Sequence, residues 1–509
     1  MHISLPIALL LAPFTLALPS TTASDQQPGL VSRHIPLTAH HHARQYSDDL
    51  ETRQDWLKGQ AQGLRSKYAQ HLGERGQEQL RRDIVERELN VKRRSKLGAR
   101  ASGSVQLTDV GIDASYSGTV SIGTPAQEFL LIMDTGSSDL WVAGAECTSS
   151  SCQGVSSFSE SSSSTYSTSN AAFNISYGSG DADGFLASDT VELAGFTVTG
   201  QTFAIVTTTT ARLISAPLSG LMGLAWKAIA SSKATPFWQA LAASGSWTDP
   251  EFAFYLARYR GDNTASSVEE QGGEMVLGGT NTSQYTGSIN YIDIAEADLD
   301  YWRIPVEALN VQSSSITITS TRGYSPQAAI DTGTTLIGVP SSVAQSIYSQ
   351  IPNAEALSAS SGYDGYYQYP CDTNVNVTIQ FGGLSYAISN ADMNLGSFTR
   401  DSSMCTGAFF EMDMSAAAPI QWIVGASFLK NVYSTFRYNP PAIGFAELAN
   451  GMSTVSNGTS TSTTSGGTSG SGSGGSSGSS GSGAGALAAP SLGVGLGVML
   501  LGSVLAGLL

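Results

Sequence analysis

Leu131-Ile132-Met133-Asp134-Thr135-Gly136-Ser137-Ser138 returns 197 residues later as Ala328-Ala329-Ile330-Asp331-Thr332-Gly333-Thr334-Thr335. Each copy is an apolar run, then Asp-Thr-Gly, then two hydroxyl residues. A carboxylate set directly behind an apolar, strand-like run is normally expelled from a core, because an unpaired buried charge is costly. Its appearance twice in the same local setting predicts two half-sites that meet. Two facing carboxylates share one proton, since like charges so close do not both ionise. One aspartate then serves as general base toward a water, and its partner as general acid toward a carbonyl. A lone Asp-Thr-Gly is a common turn tripeptide; the matched flanks are what distinguish this pair.

A second repeated element supports the pairing. Gly220-Leu221-Met222-Gly223-Leu224 puts Gly223 at +89 from Asp134, and Trp422-Ile423-Val424-Gly425-Ala426 puts Gly425 at +94 from Asp331. Two apolar residues and a glycine suit a strand passing beside the aspartate turn, where no Cβ fits. Between these landmarks, short alternating runs are separated by Gly, Ser, Asn and Asp. Tyr116 to Gly123, Gly273 to Gly279 and Ile316 to Thr319 are examples, and they predict an all-β body. Short helices are expected from Pro236, with Gly245 as the stop, and over Ser341 to Gln350.

Composition narrows the chemistry. All six histidines (His2, His34, His40, His41, His42 and His71) precede residue 100. A Ser-His-Asp triad, a Cys-His pair or a His-ligated zinc in the later body is therefore excluded. Charge is uneven: residues 1–100 balance to +5 and residues 101–509 to -21, giving -16 in all. An acidic body argues against nucleic acid, which requires cationic patches. The four cysteines allow three pairings. Cys147–Cys152 with Cys371–Cys405 keeps each bridge within one half. No metal or cofactor is expected.

The flanking segments imply processing. Residues 1–23 carry a short apolar region followed by small residues and read as a secretory signal. Residues 24–100 form a basic, helix-prone stretch ending near Lys92-Arg93-Arg94. It reads either as a solvated surface helix or as a prosegment that sets a Lys or Arg between the two aspartates. The His40–His42 cluster would charge below about pH 6.5, in a direction that helps or hinders release. The body divides into 101–280 and 281–449, one Asp-Thr-Gly in each. Residues 450–484 are a Ser/Thr/Gly stalk. Residues 485–509 are an apolar tail of the kind that signals a GPI anchor, with Ser480, Gly481, Ser482 and Gly483 as attachment candidates; a tail-anchored helix is the alternative.

These motifs resemble the pepsin family of aspartic endopeptidases over roughly residues 110–448. The resemblance implies a bilobal all-β fold with a cleft between two related lobes, and internal peptide bonds as substrate. By it, Asp134 and Asp331 are the catalytic pair, Ser137 and Thr334 support their outer oxygens, and Gly136 and Gly333 approach the substrate backbone. Ile175-Ser176-Tyr177-Gly178-Ser179-Gly180 resembles the family's flap, with Trp141 as the hydrogen-bond partner of Tyr177. The cysteine pairing above matches two family bridges; a third is absent. Ala426 stands where many relatives carry Asp, and relatives with Ala there work closer to neutral pH. Sequons occur at Asn174, Asn281, Asn376 and Asn457, and the one at Asn174, beside the flap, is expected to be unused or to point outward. Asp181 and Asp183 suggest substrates with Lys or Arg near the cut. Stalk and tail together resemble the fungal, surface-anchored, yapsin-like branch. The implied protein is a monomeric zymogen held by a GPI lipid at the outer leaflet of the plasma membrane and inhibited by its own prosegment. The alternative is a catalytically silent cell-wall or adhesive protein on the same scaffold.

Overall fold

A computed structural model describes residues 33–40, 50–94, 115–177, 180–209, 213–214, 216–259, 268–318, 325–358 and 362–449. All belong to one compact unit, Met1–Asn457. The signal, stalk and anchor readings, the attachment candidates, Asn457, and the flap-tip residues Gly178 and Ser179 lie outside the described residues.

The expected β body is present. Its first strands are β1 (Arg33–His40), β2 (Ser115–Ile122), β3 (Gln127–Asp134), β4 (Leu140–Ala143), β5 (Ser167–Tyr177), β6 (Gly180–Leu193), β7 (Phe196–Thr209), β8 (Gly220–Gly223), β9 (Glu251–Leu256) and β10 (Val268–Leu277). With Tyr285–Asp293, Val432–Arg437 and Ala442–Leu448 they build a 13-stranded sheet. Its order runs Tyr285–Asp293, Ala442–Leu448, Val432–Arg437, β9, β10, β1, β2, β3, β8, β4, β7, β6, β5. Strands from both ends of the body thus share one sheet. A separate 5-stranded sheet carries the second aspartate, in the order Arg303–Pro305, Gln327–Ile330, Trp422–Val424, Ile337–Val339, Phe409–Glu411.

Period-two alternation shapes these strands. In β3, Phe129, Leu131 and Met133 are buried and the residues between them are only half-buried, until Asp134 itself is buried. The helices are few. Before the body come α1 (Leu50–Lys67) and α2 (Glu74–Arg94), and within it α3 (Phe237–Ser244), α4 (Ser341–Ser349) and two single turns, Asn390–Met393 and Ala426–Leu429. Helix α3 starts one residue later than expected, with Pro236 as its cap, and stops at Gly245, whose φ of 73° suits glycine. Both expected disulfides form, Cys147–Cys152 and Cys371–Cys405, with Cα separations of 6.1 and 4.9 Å.

Helix α1 is not a solvated surface helix. Leu57, Ala61 and Leu64, followed by Tyr68, recur at helical spacing and are all buried. This stripe lies on the second half of the body. Trp56 stacks on Phe398 at 5.6 Å between ring centres, and the Tyr366 hydroxyl donates to the Leu57 carbonyl at 2.8 Å. Strand β1 is inserted between β10 and β2. Residues 33–40 are therefore built into the sheet, and α1 and α2 lie across one face of the body.

Candidate active site

Asp134 ends a strand held in a parallel pair, and Asp331 directly follows one. Asp134 lies opposite Gly223 in the β3–β8 pairing, and Ile330, just before Asp331, lies opposite Val424. A Cβ on Gly223 would strike the backbone of Ser138 and Asp139, and one on Gly425 the carbonyls of Thr334 and Leu336. The glycines of the second repeated element are thus required by close backbone approach, as their spacing predicts.

The two Asp-Thr-Gly turns meet. Thr135 N–H donates to Thr332 Oγ1 at 3.0 Å, and Thr332 N–H donates to Thr135 Oγ1 at 3.0 Å. Each threonine hydroxyl then donates across the interface, to the carbonyls of Ile330 (2.8 Å) and Met133 (2.7 Å). This reciprocal lock fixes the relative position of the two carboxyl groups. The sequence reading passed over both threonines, although their duplication inside the motif was the available signal.

Within each turn the carboxylate is held at both oxygens. Gly136 N–H reaches Asp134 Oδ1 at 2.9 Å, and Ser137 Oγ donates to Oδ2 at 2.5 Å. Gly333 N–H and Thr334 Oγ1 repeat these bonds on Asp331 at 2.9 and 2.5 Å. The roles expected of Ser137 and Thr334 thus have matching geometry. Gly136 and Gly333 do more than line a path: a Cβ on either would collide with the opposite aspartate's carboxyl group. Only glycine lets the two acids come this close.

A cation from α1 lies between them. Lys67 Nζ is 2.8 Å from Asp134 Oδ1, 3.1 Å from Asp331 Oδ1 and 2.9 Å from Asp331 Oδ2. Tyr68 Oη donates to Asp331 Oδ2 at 2.9 Å. Both carboxylates thus reach one nitrogen atom, and all four side chains are buried or nearly so. Burial pulls the ammonium of Lys67 down, but the charges of Asp134 and Asp331 outweigh it and hold the group above its ordinary value. Burial pushes Asp134 up, against the pull of Lys67 and with the help of Asp331's charge. Asp331 is also pushed up by burial, yet Lys67 and its hydrogen bonds carry it below the usual carboxylate range. The opposite directions are those of two acids holding one proton.

Beside the lysine, His71 Nε2 lies 3.1 Å from the Tyr301 hydroxyl. Burial lowers its pKa, opposed by Asp300. The side chains of His40, His41 and His42 lie outside the described ones, and His71 is the histidine placed near the aspartates.

The hairpin expected to be the flap is formed by β5 and β6. Trp141 Nε1–H donates to Tyr177 Oη at 2.9 Å, with both rings buried. Tyr177→Phe would leave that buried indole donor without its acceptor, at a cost of about 1–3 kcal/mol. A fall of roughly tenfold in kcat/KM, with a melting temperature lowered by a few degrees, is expected from steady-state assays and thermal melts of the variant. The hairpin register pairs Asn174 with Asp183 and Ser176 with Asp181, so these four share the face opposite Tyr177. Asn174 is exposed there and its amide donates to Asp183. Asn376 is also exposed, while the amide of half-buried Asn281 donates to Glu274 at 2.7 Å. No group of His, Cys, Asp or Glu suited to a metal ion occurs among the described residues.

Comparison with known proteins agrees with this geometry. Residues 115–448 match the family described as eukaryotic aspartyl protease. The chain is 65% identical over 444 residues to Major aspartyl peptidase 1 of Cryptococcus neoformans, covering 87% of this chain and 90% of the relative. It is 33% identical to an aspartic protease of Phaffia rhodozyma, over 71% of this chain and 82% of that protein. It is 32% identical to pepsin A of Sus scrofa, over 66% of this chain and 82% of that protein. With paired, interlocked aspartates and these relatives, the chain belongs to the eukaryotic aspartyl protease family and is an aspartic endopeptidase.

Proposed function

We propose that the protein is made as a secreted zymogen whose dyad, Asp134 and Asp331, is masked by Lys67 until residues 24–100 are released. The observation that carries this reading is the ammonium of Lys67 bridging both carboxylates. A lysine so placed fills the position a hydrolytic water would need, so the folded precursor is idle while its aspartates are already assembled. When the segment leaves, a water takes that position. One carboxylate removes its proton as it attacks the substrate carbonyl, and the partner gives a proton to the carbonyl oxygen. The tetrahedral intermediate is noncovalent and collapses as the amine leaves. The buried flap pair Tyr177–Trp141 supports closure over an extended peptide, which excludes water from the dyad.

The sequence supports the remainder of the proposal: entry to the secretory pathway, a Ser/Thr/Gly stalk and a GPI anchor in the outer leaflet of the plasma membrane, with glycans at surface sequons and a monomeric body. Phosphatidylinositol-specific phospholipase should release the protein from intact cells; retention after treatment favours a tail-anchored helix. The catalytic reading is tested by digesting a peptide library with the acid-treated chain beside Asp134→Asn, with and without pepstatin. Internal cleavage that survives either change would refute it.

A further inference from the structure

Strand β5 closes one end of the 13-stranded sheet, and among the described residues it pairs with β6 alone. Its other edge presents backbone N–H and C=O groups to whatever approaches. Such an edge invites another strand, and proteins blunt it with charge, proline, a bulge or a cover. The eleven residues of β5, Ser167 to Tyr177, include no Lys, Arg, Asp, Glu or Pro. A bulge interrupts the register between Thr168 and Ala172, but from Ala172 to Tyr177 the pairing with β6 is unbroken. That stretch, Ala172-Phe173-Asn174-Ile175-Ser176-Tyr177, is uncharged, free of proline and glycine, and half β-branched or aromatic. Segments of this composition pair with copies of themselves.

In the precursor α1 packs against β5. That helix belongs to residues 24–100, so activation takes the cover away. One further device lies in the strand itself, the sequon Asn174-Ile175-Ser176. Asn174 and Ser176 are exposed, while Phe173 and Tyr177 on the opposite face are buried. A glycan on Asn174 therefore points away from Tyr177 and leaves the cleft open. The Asn174 amide donates to Asp183 across the hairpin. An amide nitrogen carries two N–H groups and a glycan replaces one, so this bond survives the modification. The sequon at Asn281 is held differently. Asn281 is half-buried, its Nδ2 donates to Glu274 Oε2 at 2.7 Å, and its Oδ1 accepts the N–H and hydroxyl of Ser283 at 3.1 and 2.7 Å. That side chain is folded back onto the protein, whereas Asn174 stands on an open strand face.

We propose that Asn174 carries an N-linked glycan that guards the β5 edge of the activated enzyme against pairing with β5 of a second copy. A glycan is bulky and solubilising, and from the outer face of β5 it occupies the space a neighbouring strand would need. It does for this edge what a lysine does elsewhere. The proposal rests on the secretory and zymogen readings above, because the sugar is added in the secretory pathway and the edge is uncovered when α1 leaves.

The test uses the full-length protein secreted from a eukaryotic host, with glycopeptides mapped by mass spectrometry. Self-association is followed by light scattering before and after acid activation. A glycan is expected on Asn174 of the wild type. Asn174→Gln and Ser176→Ala both remove the sequon, and the second keeps the amide that bonds Asp183. After activation, each should self-associate at a concentration at least about tenfold lower than the wild type, since several cross-strand pairs form at once. Before activation, with α1 in place, all should remain dispersed. Asn174→Lys has no glycan but sets a charge on the edge, and should disperse as the wild type does; this rescue, with melting temperatures, separates edge protection from misfolding. A bare Asn174 in a protein glycosylated at Asn376 would overturn the proposal and leave the secretory reading intact. Absence of glycan from every sequon would overturn both. A glycan on Asn174 whose loss leaves association unchanged, or raises it equally before activation, would overturn the guarding role. Failure of Asn174→Lys to restore dispersal would do the same.

Discussion

Asp134→Asn is expected to lower kcat/KM by about ten-thousand-fold, the upper part of the range for a positioned acid–base group. Asparagine has nearly the same volume, so the buried turn has no cavity to absorb. What it loses is the ability to give up and take back a proton. The change also sets an amide where Asp134 accepts from both Gly136 N–H and Ser137 Oγ. Only one end of an amide accepts, so one donor is left facing another. Asp331→Asn should cost a similar amount, because Gly333 and Thr334 hold it in the same way. The double variant should be little worse than either single one, since the pair shares one proton and works as a unit. Initial rates on a fluorogenic peptide, beside thermal melts, measure this. An Asp134→Asn enzyme within tenfold of wild type would remove the dyad from the mechanism.

Lys67→Ala is expected to release activity from the unprocessed chain. Removing one partner of a buried ion pair costs about 3–5 kcal/mol, so the grip of residues 50–94 on the cleft should weaken by at least about a hundredfold. Pepstatin-sensitive cleavage by full-length protein never exposed to acid should rise accordingly, measured before any processing is visible on a gel. Equal leakage from wild type and variant would show that the lysine is not the latch. Acid should have the same effect on the wild type. The depressed pKa of Asp331 makes its contribution to docking full above the ordinary carboxylate range and lost as pH falls through the lowered value. His71, also depressed, favours the docked state above its ordinary range near pH 6.5 and opposes it once protonated. Asp134 is raised and acts in the other direction, because docking then favours its proton as pH falls. Lys67, raised from an already high value, stays charged across this window. Release is therefore expected at clearly acid pH, with His71 weakening the dock first and Asp331 last.

Much of the site was legible because it is encoded twice. Duplicated apolar runs ahead of Asp134 and Asp331, and the matched glycines Gly223 and Gly425, reflect local backbone needs that any strand–turn unit of this kind imposes. The flap tyrosine and its tryptophan partner came from the resemblance to the pepsin family, and the cysteine pairing from keeping each bridge within one half. The basic leader was legible as a charge imbalance and no further. Nothing in its composition distinguishes Lys67 from the other 14 Lys and Arg of residues 1–100. Its selection depends on where the stripe Leu57, Ala61, Leu64 and Tyr68 seats α1 on the body, which is a matter of long-range packing.

The acidic residues show the same division. Asp181 and Asp183 were conspicuous because they follow the flap motif, yet the β5–β6 register turns them to the outer face. Glu411 and Asp413 carried no motif and are gathered under Arg75 by a parallel strand pairing and the path of α2. By itself the sequence determined the all-β class, the identity of the two acids and the chemistry open to them, because period-two burial and the Asp-Thr-Gly turn are local properties. Tertiary structure alone decided which lysine lies between those acids and which carboxylates are gathered under α2. Those choices join residues tens to hundreds of positions apart, and only the folded sheets and the helices laid across them bring such residues together.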